Sequence, residues 1–564
     1  MPTIEMLFDD LQRLVGRSLP QEKMALTEIL AYVKGEVETL DGNNLTVELK
    51  DGNRPDLWCV EGIARGLRGA LGVELGLKRY EVSASSGVEV SVDPRLRKIR
   101  PYIGCSLVRN VRLNDEVIRE LMHLQDKLDQ TYGRKRSRAS IGLYNFDLIK
   151  PPIHYRAAGP EEYSFVPLEG TESMTLRAIL KSHPKGVEYG DIVRHHRLWP
   201  MLVDDTDRVL SFPPIINSND LGKIVEGEQD IFVEVTGTNS QTVLNTVTLV
   251  TLSLADRGKL INSVKVCYPD EGEQVTPNLA TKELVLRSED VNRVLGMEMN
   301  SKQVAEMLLR ARYGAGLKNG VIRVTIPCYR TDIMHPLDVV EDVLIAYGFN
   351  NISPIWPKIA TTGGVSHLEE LSDTVREIML GLEFQEILTF SLSTPEIQRD
   401  KMGLSSLKVV ELANPMTLRF TCLRSWLLPN LLEFLGSNTH ATFPQKVFEV
   451  GDCVVLDGTK PGGTRDVRKL AGIISHPRAN FSEIKGNLEG LFRSLGFSIV
   501  LKEIEHPSFI PGRVGIILVD GNEIGILGEL SPSVLENWLA ANPAAAFEID
   551  LDAVFKYLPA MANV

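Results

Sequence analysis

The stretch RTDIMHPLDVVEDVLIAYG, residues 330–348, places Asp332, Asp338, Glu341 and Asp342 within eleven residues, around the start of an apolar run. Pro336 suits the first turn of a helix, where its missing N–H forfeits no hydrogen bond and its φ is already helical. At about 3.6 residues per turn, Asp338, Glu341 and Asp342 fall within about 100° of one face. Val339, Val340, Val343, Leu344 and Tyr347 take the opposite face, as in an amphipathic helix. Gly348 ends it, as a C′ glycine does. The spacing predicts a helix with three carboxylates on one ridge, joined by Asp332 from the segment before.

That ridge has two readings. Acids at a helix start favour its positive end, each by about 0.3–1 kcal/mol. Against this, like charges at i,i+4 repel, so Asp338 and Asp342 oppose each other. A hard cation removes that cost, and Mg²⁺ favours carboxylate oxygens with several waters retained. The four acids are therefore candidate Mg²⁺ ligands, some acting through water or leaving room for a partner's groups.

A chain of 564 residues predicts several domains. Its 43% hydrophobic and 24% charged residues are ordinary for globular proteins. No apolar run approaches the ~20 residues a membrane helix needs, and MPTIEMLFDDLQRLVG lacks a basic-then-apolar signal pattern. A soluble chain with no membrane partner is expected. The six cysteines stand far apart without a CxxC pair, which points to free thiols in a reducing compartment. His195 and His196 sit between Arg194 and Arg197, an arrangement that opposes metal binding. Net charge is −13, so nucleic-acid contact must use local patches. The most basic patch is GRKRSRAS, with Arg134, Lys135, Arg136 and Arg138; its alternative reading is a solvated loop.

Before the acidic stretch, LTVELK (45–50) alternates as a half-buried strand, and Asn53-Arg54-Pro55-Asp56 turns into a helix carrying Val60, Ile63, Ala64 and Leu67. Ser83-Ala84-Ser85-Ser86-Gly87 reads as a linker. A helix capped by Asn114 and Asp115 follows, with Val117, Leu121, Leu124 and Leu128 on one face. Ile153–Tyr155, Val209–Phe212, Ile231–Thr236 and Val247–Leu252 read as strands. The irregular loop around Pro213-Pro214 and Asn217-Ser218-Asn219-Asp220 is where a site held by strands tends to sit. Leu202, Ser211, Asn217, Glu234 and Thr236 are its candidate lining; the alternative is that Ser211 and Thr236 cap local turns. No Ser-His-Asp or Cys-His spacing is present. Two short helices follow, expected to be capped at Ser288 and near Ser301, then the strand VIRVTIPCYR; together they resemble a helix-turn-helix module.

After the acidic stretch come a helix over 366–382, strand-like QEILTFSLS and an amphipathic helix with Leu427, Leu428, Leu431, Leu432 and Leu435. Strands QKVFEVGDCVV, KLAGIIS, VGIILVDG and EIGILGEL, with a turn at Asp520-Gly521-Asn522, predict an antiparallel sheet backed by helices. The fold class is α+β and multidomain: 1–85 an N-terminal α+β domain, 86–277 a second α+β domain, 278–353 the helix-turn-helix-like domain with the acids, and 354–564 the last sheet.

NRPDLWCVEGIARGLRG, YRTDIMHPLDVVEDVLIAYGF, NPMTLRFTCLRSWLLPNLL and PGRVGIILVDGNEIGILGELSP resemble, in this order, segments of the phenylalanine–tRNA ligase β subunit family, of the archaeal and eukaryotic cytosolic type. The resemblance spans essentially the whole chain. It implies a cytoplasmic (αβ)₂ heterotetramer acting on tRNA(Phe), with ATP used by the holoenzyme and aminoacylation carried out in the α subunit. It implies that 86–277 is a domain hydrolysing tyrosine misattached to tRNA(Phe), with Leu202, Ser211, Glu234 and Thr236 resembling its pocket. Glu234 stands where the family carries the shorter Asp. Mg²⁺ at Asp332, Asp338, Glu341 and Asp342 is implied at a subunit boundary. Residues 354–564 resemble a class II synthetase fold that lacks the Arg-x-Glu motif, since Phe448 precedes Glu449 and Arg513 stands ahead of a strand; an inactive scaffold is implied. The competing expectation is a non-enzymatic nucleic-acid-binding or assembly protein built on the helix-turn-helix module.

Overall fold

The computed structural model describes residues 2–258, 260–270 and 272–556; the end of the last expected domain, 557–564, lies outside the described residues. The chain forms two compact units, one up to Trp356 and one from Pro357 on, and both mix helices with sheets.

The first unit opens with a three-stranded sheet of Thr3–Leu7, Asn44–Leu49 and Gly35–Asp41, the second lying between the others. Leu45, Val47 and Leu49 are buried in alternation, so the strand expected at 45–50 forms. At Asn53–Asp56, Arg54 donates to both carboxylate oxygens of Asp56 at 2.8 and 2.7 Å. That clasp closes a single turn, Pro55–Leu57, ahead of helix Val60–Ala70. Gly62 of that helix crosses so near that a Cβ would lie 1.7 Å from the Asp56 carbonyl oxygen, which only glycine permits.

A ten-stranded sheet follows. Its strands run in space Ile216–Asn217, Val209–Phe212, Trp199–Val203, Ile153–Ala158, Val82–Val92, Leu260–Tyr268, Tyr102–Leu113, Gly227–Gly237 and Ala139–Asn145, with Gly272–Thr276 added alongside Leu260–Tyr268. Val82–Val92 is parallel to both neighbours, and the other pairings are antiparallel. Two expectations fail here. Ser83–Gly87 is no linker: it opens a strand, with Val82 opposite Ile261 and Ser85 opposite Ser263, and the Ser86 hydroxyl donates to the Ser263 carbonyl at 2.6 Å. Val247–Leu252 is no strand: it lies inside helix Ser240–Arg257, capped by the Asn239 side chain, with Thr242 and Thr246–Leu254 buried. Burial all round the helix favours apolar and hydroxyl-bearing residues regardless of β-propensity, and Thr248 and Thr251 satisfy their hydroxyls on the carbonyls of Leu244 and Val247.

The segment before the acidic helix is built on a three-stranded sheet, Lys282–Arg287, Val321–Ile326 and Gly314–Lys318. Helices Ser288–Leu295 and Ser301–Arg310 lie between its strands in sequence. The first helix has no side-chain cap, since Arg287 stands at its N-cap in place of the expected Ser288, and the second is capped beside Ser301, as expected. Asn300 with Gln303 forms the capping box of the second helix, and Ser288, inside the first, meets the Ser301 hydroxyl at 3.0 Å. Helix Pro336–Tyr347 forms as expected and stops at Gly348, whose φ is 94°.

The second unit holds a seven-stranded sheet in the order Gln385–Glu386, Gln445–Leu456, Thr464–Ser475, Ala544–Asp550, Asn522–Leu530, Phe509–Val519 and Val500–Glu503. All neighbours are antiparallel except the first pair. Phe448, Val450 and Leu470 pack with helices His367–Gly381 and Phe481–Ser494 on one face. Val447, Ala471 and Ile473 pack with helix Leu428–Ser437 on the other. Covered on both faces, the strands read as near-continuous apolar runs. The turn at Asp520-Gly521 has φ of 49° and 79°, the left-handed pair of a tight hairpin.

Candidate functional site

The ten-stranded sheet brings its two ends together. Strand Ala139–Asn145 is last at one end, and strands Val209–Phe212 and Ile216–Asn217 close the other. Tyr144, from the first of these, places its buried hydroxyl 2.9 Å from the Ser211 hydroxyl, 2.9 Å from Glu234 Oε2 and 3.5 Å from Asn217 Oδ1. One phenolic proton cannot serve three acceptors, so Ser211 donates in its turn. Above this junction opens a cleft of about 450 Å³, walled by Ile118, Met122 and Gln125 of helix Asp115–Lys127 and by Phe212–Asn217.

Register explains which expected residues meet. Ser211 lies opposite Leu202 on one side and Asn217 on the other. Glu234 faces Gly142 and Thr236 faces Ser140. Ser211, Asn217 and Glu234 thus converge on Tyr144 and line the cleft. Leu202 is fully buried in the apolar core beneath, and Thr236 is bound instead by Arg100. That arginine, 1% exposed, donates from Nε to the Thr236 hydroxyl at 2.9 Å, and from Nη2 to the Thr236 carbonyl at 2.6 Å and the Ser140 hydroxyl at 3.0 Å. Gly142 is required: a Cβ there would fall 2.3 Å from the Tyr144 hydroxyl and 2.5 Å from Glu234 Oε2.

Glu234 is 2% exposed. Burial pushes its carboxyl up to about 7, against the opposing effects of the Tyr144 hydrogen bond, the Arg100 charge and the nearby Thr236 hydroxyl. Its Oε1 is buried with no hydrogen-bond partner. A half-satisfied buried carboxyl facing a cleft is costly unless something completes it. It can accept from, or when protonated donate to, a ligand hydroxyl or amide. Tyr144, Arg100 and Gly142 were not legible as site residues, because none lies within sixty residues of both Ser211 and Glu234. A glycine inside the strand-like run ASIGLYN was the one available signal.

Of the four acids of the 330–348 stretch, Asp332 and Asp342 meet on Arg330, while Asp338 and Glu341 have other partners. Arg330 donates to Asp332 at 2.9 and 2.7 Å and pairs with Asp342 at 2.7 Å. The Tyr313 hydroxyl also donates to Asp342, which is 8% exposed and so turned inward from the ridge. Burial pushes Asp332 up, but the Arg330 guanidinium outweighs it and holds the carboxyl below its usual range. Asp338 Oδ2 accepts from the backbone amides of Met334 and His335, each at 2.7 Å. Glu341 meets Lys34 at 2.6 Å. Among the described residues no three His, Cys, Asp or Glu side chains are grouped so as to hold a metal ion. In the second unit Glu449, fully buried, is paired with Arg424 at 2.7 Å and accepts from the Thr389 hydroxyl at 2.6 Å, and Arg513 donates to Glu529 at 2.6 Å.

Residues 352–551 match the family described as the phenylalanyl tRNA synthetase beta chain CLM domain, and residues 284–349 match the tRNA synthetase B5 domain. A phenylalanine–tRNA ligase beta subunit of Thermococcus onnurineus is 43% identical over 99% of each chain. One from Pyrococcus furiosus is 43% identical over 99% of this chain and all of its own. Another, from Archaeoglobus fulgidus, is 39% identical over 98% of this chain and 99% of its own. The crystal structure of an N-terminal fragment of the phenylalanyl-tRNA synthetase beta-subunit from Pyrococcus horikoshii superposes with a TM-score of 0.59 at 39% identity, covering 62% of this chain and all of the fragment.

Proposed function

The chain belongs to the family of phenylalanine–tRNA ligase β subunits, and we propose that it contributes assembly and hydrolytic editing to an (αβ)₂ enzyme of the cytoplasm. In this reading phenylalanine, ATP and the 3′ end of tRNA(Phe) meet in the α subunit. A phenylalanine pocket rejects tyrosine, which only adds a hydroxyl, by about 10²-fold. A second site that hydrogen-bonds that hydroxyl recovers the difference. The observation that carries the reading is the cleft bottom, where Glu234 offers a buried, unpartnered Oε1 beside Ser211 and Asn217.

In the proposed reaction the tyrosine side chain enters the cleft and its phenol pairs with Glu234. Tyr144 holds that carboxyl in place, and Ser211, beside it in the cleft, is bonded to Tyr144. Arg100 fixes Thr236 and Ser140, so Thr236 acts through the shape of the strand pair rather than on the substrate. Water adds to the ester carbonyl, the bond to the ribose oxygen breaks, and that oxygen takes a proton. No side chain here resembles an activated nucleophile, so water and the hydroxyls of the tRNA supply the chemistry. Glu234→Ala is expected to let Tyr-tRNA(Phe) accumulate while charging with phenylalanine stays near wild type. Unchanged hydrolysis of Tyr-tRNA(Phe) by that variant would overturn the reading.

The domains 1–85, 86–277, 278–353 and 354–564 are proposed as N-terminal, editing, acid-bearing helix-turn-helix-like and class II-like units. The last is proposed as a scaffold. Its strand acid Glu449 is locked to Arg424, and large apolar side chains stand free on its surface: Leu388 is 86%, Phe390 74% and Leu418 87% exposed. Large apolar side chains left this exposed are the kind that protein interfaces cover, which supports docking of the α subunit. Mg²⁺ is proposed at Asp332, Asp338, Glu341 and Asp342, whose oxygens have the right hardness. As they stand they do not form a ready cage, because Arg330 and Lys34 supply the countercharge; an ion there would replace part of it. Elemental analysis of the purified complex tests this: Asp338→Asn with Glu341→Gln should lower the bound Mg²⁺, and unchanged metal content leaves the acids as caps and ion pairs.

A further inference from the structure

The basic stretch Arg134–Arg138 reaches the same cleft through Arg136, which lines it. It follows helix Asp115–Lys127 and the turn Leu128–Tyr132, and both Arg136 and Ser140 line the cavity. Arg134, Lys135 and Arg136 have φ of 49°, 50° and 65°. Three successive non-glycine residues in the left-handed region persist only where neighbours hold them.

Here the neighbours are visible. The Arg136 amide donates to the Asp129 carbonyl at 2.9 Å and the Arg138 amide to the Gly133 carbonyl at 2.8 Å. Arg100 donates to the Arg136 carbonyl at 3.0 Å. The Arg136 side chain is consumed as an anchor: it pairs with Asp129 at 2.9 Å, donates to the Ile215 carbonyl at 3.1 Å and lies 4.4 Å from the centre of the Tyr189 ring. The loop is therefore tied to the cleft wall.

Arg134, Lys135 and Arg138 are left over. All three are exposed, and no ion pair formed among the described residues uses them. Lys223, which also lines the cleft, is likewise exposed and outside any such pair. On a chain of net charge −13, three unpaired cations on a loop anchored to the wall of one cleft favour a polyanionic ligand there. A protein carboxylate surface would be the other polyanion, but it has no reason to end at a cavity that takes a single side chain.

We propose that Arg134, Lys135 and Arg138 bind the phosphates of the single-stranded aminoacylated end of the RNA, holding it while its amino acid enters the cleft. This rests on the editing reading for the cleft's cargo, and not for the cations' ligand. In the assembled enzyme, Arg134→Ala, Lys135→Ala and Arg138→Ala together should raise the half-saturating Tyr-tRNA(Phe) concentration for deacylation about tenfold, with a smaller change in the maximal rate. The dependence of log affinity on log salt should flatten by about 2, since each single-strand phosphate contact contributes about 0.7. Backbone protection of the 3′-terminal nucleotides should be lost, and Arg134→Lys with Arg138→Lys should retain both protection and slope. Unchanged protection and salt slope in the triple alanine variant would overturn the proposal. If the wild-type enzyme fails to deacylate Tyr-tRNA(Phe) but the triple variant still loses protection, the phosphate rim stands and the editing reading falls.

Discussion

Tyr144 joins the two ends of one sheet: its hydroxyl lies 2.9 Å from Glu234 Oε2, in the strand beside its own, and 2.9 Å from Ser211, near the opposite edge. Tyr144 already spends its hydroxyl on one oxygen of Glu234, and the other is left without a hydrogen-bond partner. The acid that would read a tyrosine hydroxyl is thus positioned by a tyrosine of the protein.

Glu234 makes stability pH-dependent. Its carboxyl is raised by burial from 4.5 to about 7. Below 4.5 both folded and unfolded chains carry the proton and the stabilisation is complete. Between 4.5 and about 7 the unfolded chain ionises first and that stability is lost, on the order of 3 kcal/mol. Glu234→Gln cannot ionise, so its melting temperature should gain on wild type as pH rises from 4.5 to 8. Parallel melting curves across that range would show that Glu234 titrates normally.

Gly142→Ala tests the packing of the cleft floor. The new methyl would fall inside contact distance of both Tyr144 and Glu234. Overpacking of this size costs about 1–3 kcal/mol, and the side chains that yield are the two that shape the site. Hydrolysis of Tyr-tRNA(Phe) should drop by about fivefold to a hundredfold on the same energetic scale, while phenylalanine charging by the complex is retained. Equal deacylation rates would show that the floor is not used.

Arg330 neutralises Asp332 and Asp342 while itself 5% exposed. Arg330→Ala leaves buried Asp342 without a cation and Asp332 with only Arg54 at 3.9 Å, for which about 3–5 kcal/mol is expected. Arg330→Lys should recover little of it, since an ammonium cannot reproduce the two-pronged contact with Asp332. Denaturant midpoints of the three proteins decide this. A lysine variant as stable as wild type would show the charge matters and the fork does not.

Arg424 and Glu449 test the scaffold reading of the second unit. Glu449→Ala alone strands a guanidinium that is 3% exposed and should cost about 3–5 kcal/mol. Arg424→Met with Glu449→Leu removes both charges and should be within about 1 kcal/mol of wild type or more stable. The double variant should still assemble and charge tRNA(Phe), and loss of charging in an intact complex would give the pair a chemical role.

Local pattern alone was sufficient for helix Pro336–Tyr347, the strand at 45–50, the hairpin at Asp520-Gly521 and the covered strands of the second unit. In each, spacing, caps and turn residues agree over a dozen positions or fewer. The order of four motifs along the chain also carried the family. Pattern failed where tertiary burial outweighed propensity, as in helix Ser240–Arg257, whose threonines and valines read as a strand. It failed again at Asp342, which shares the ridge of Asp338 and Glu341 by helical spacing but turns into the interior to meet Arg330 and Tyr313. The candidate site divides the same way. Ser211, Asn217 and Glu234 were legible as polar residues on strands and a loop, whereas Tyr144 reaches Ser211 across 67 residues and Arg100 reaches Thr236 across 136. Periodicity reports which face of an element a residue occupies. Which distant face it then meets depends on the path of the whole sheet, and that path brings the two ends of this one together around a single hydroxyl.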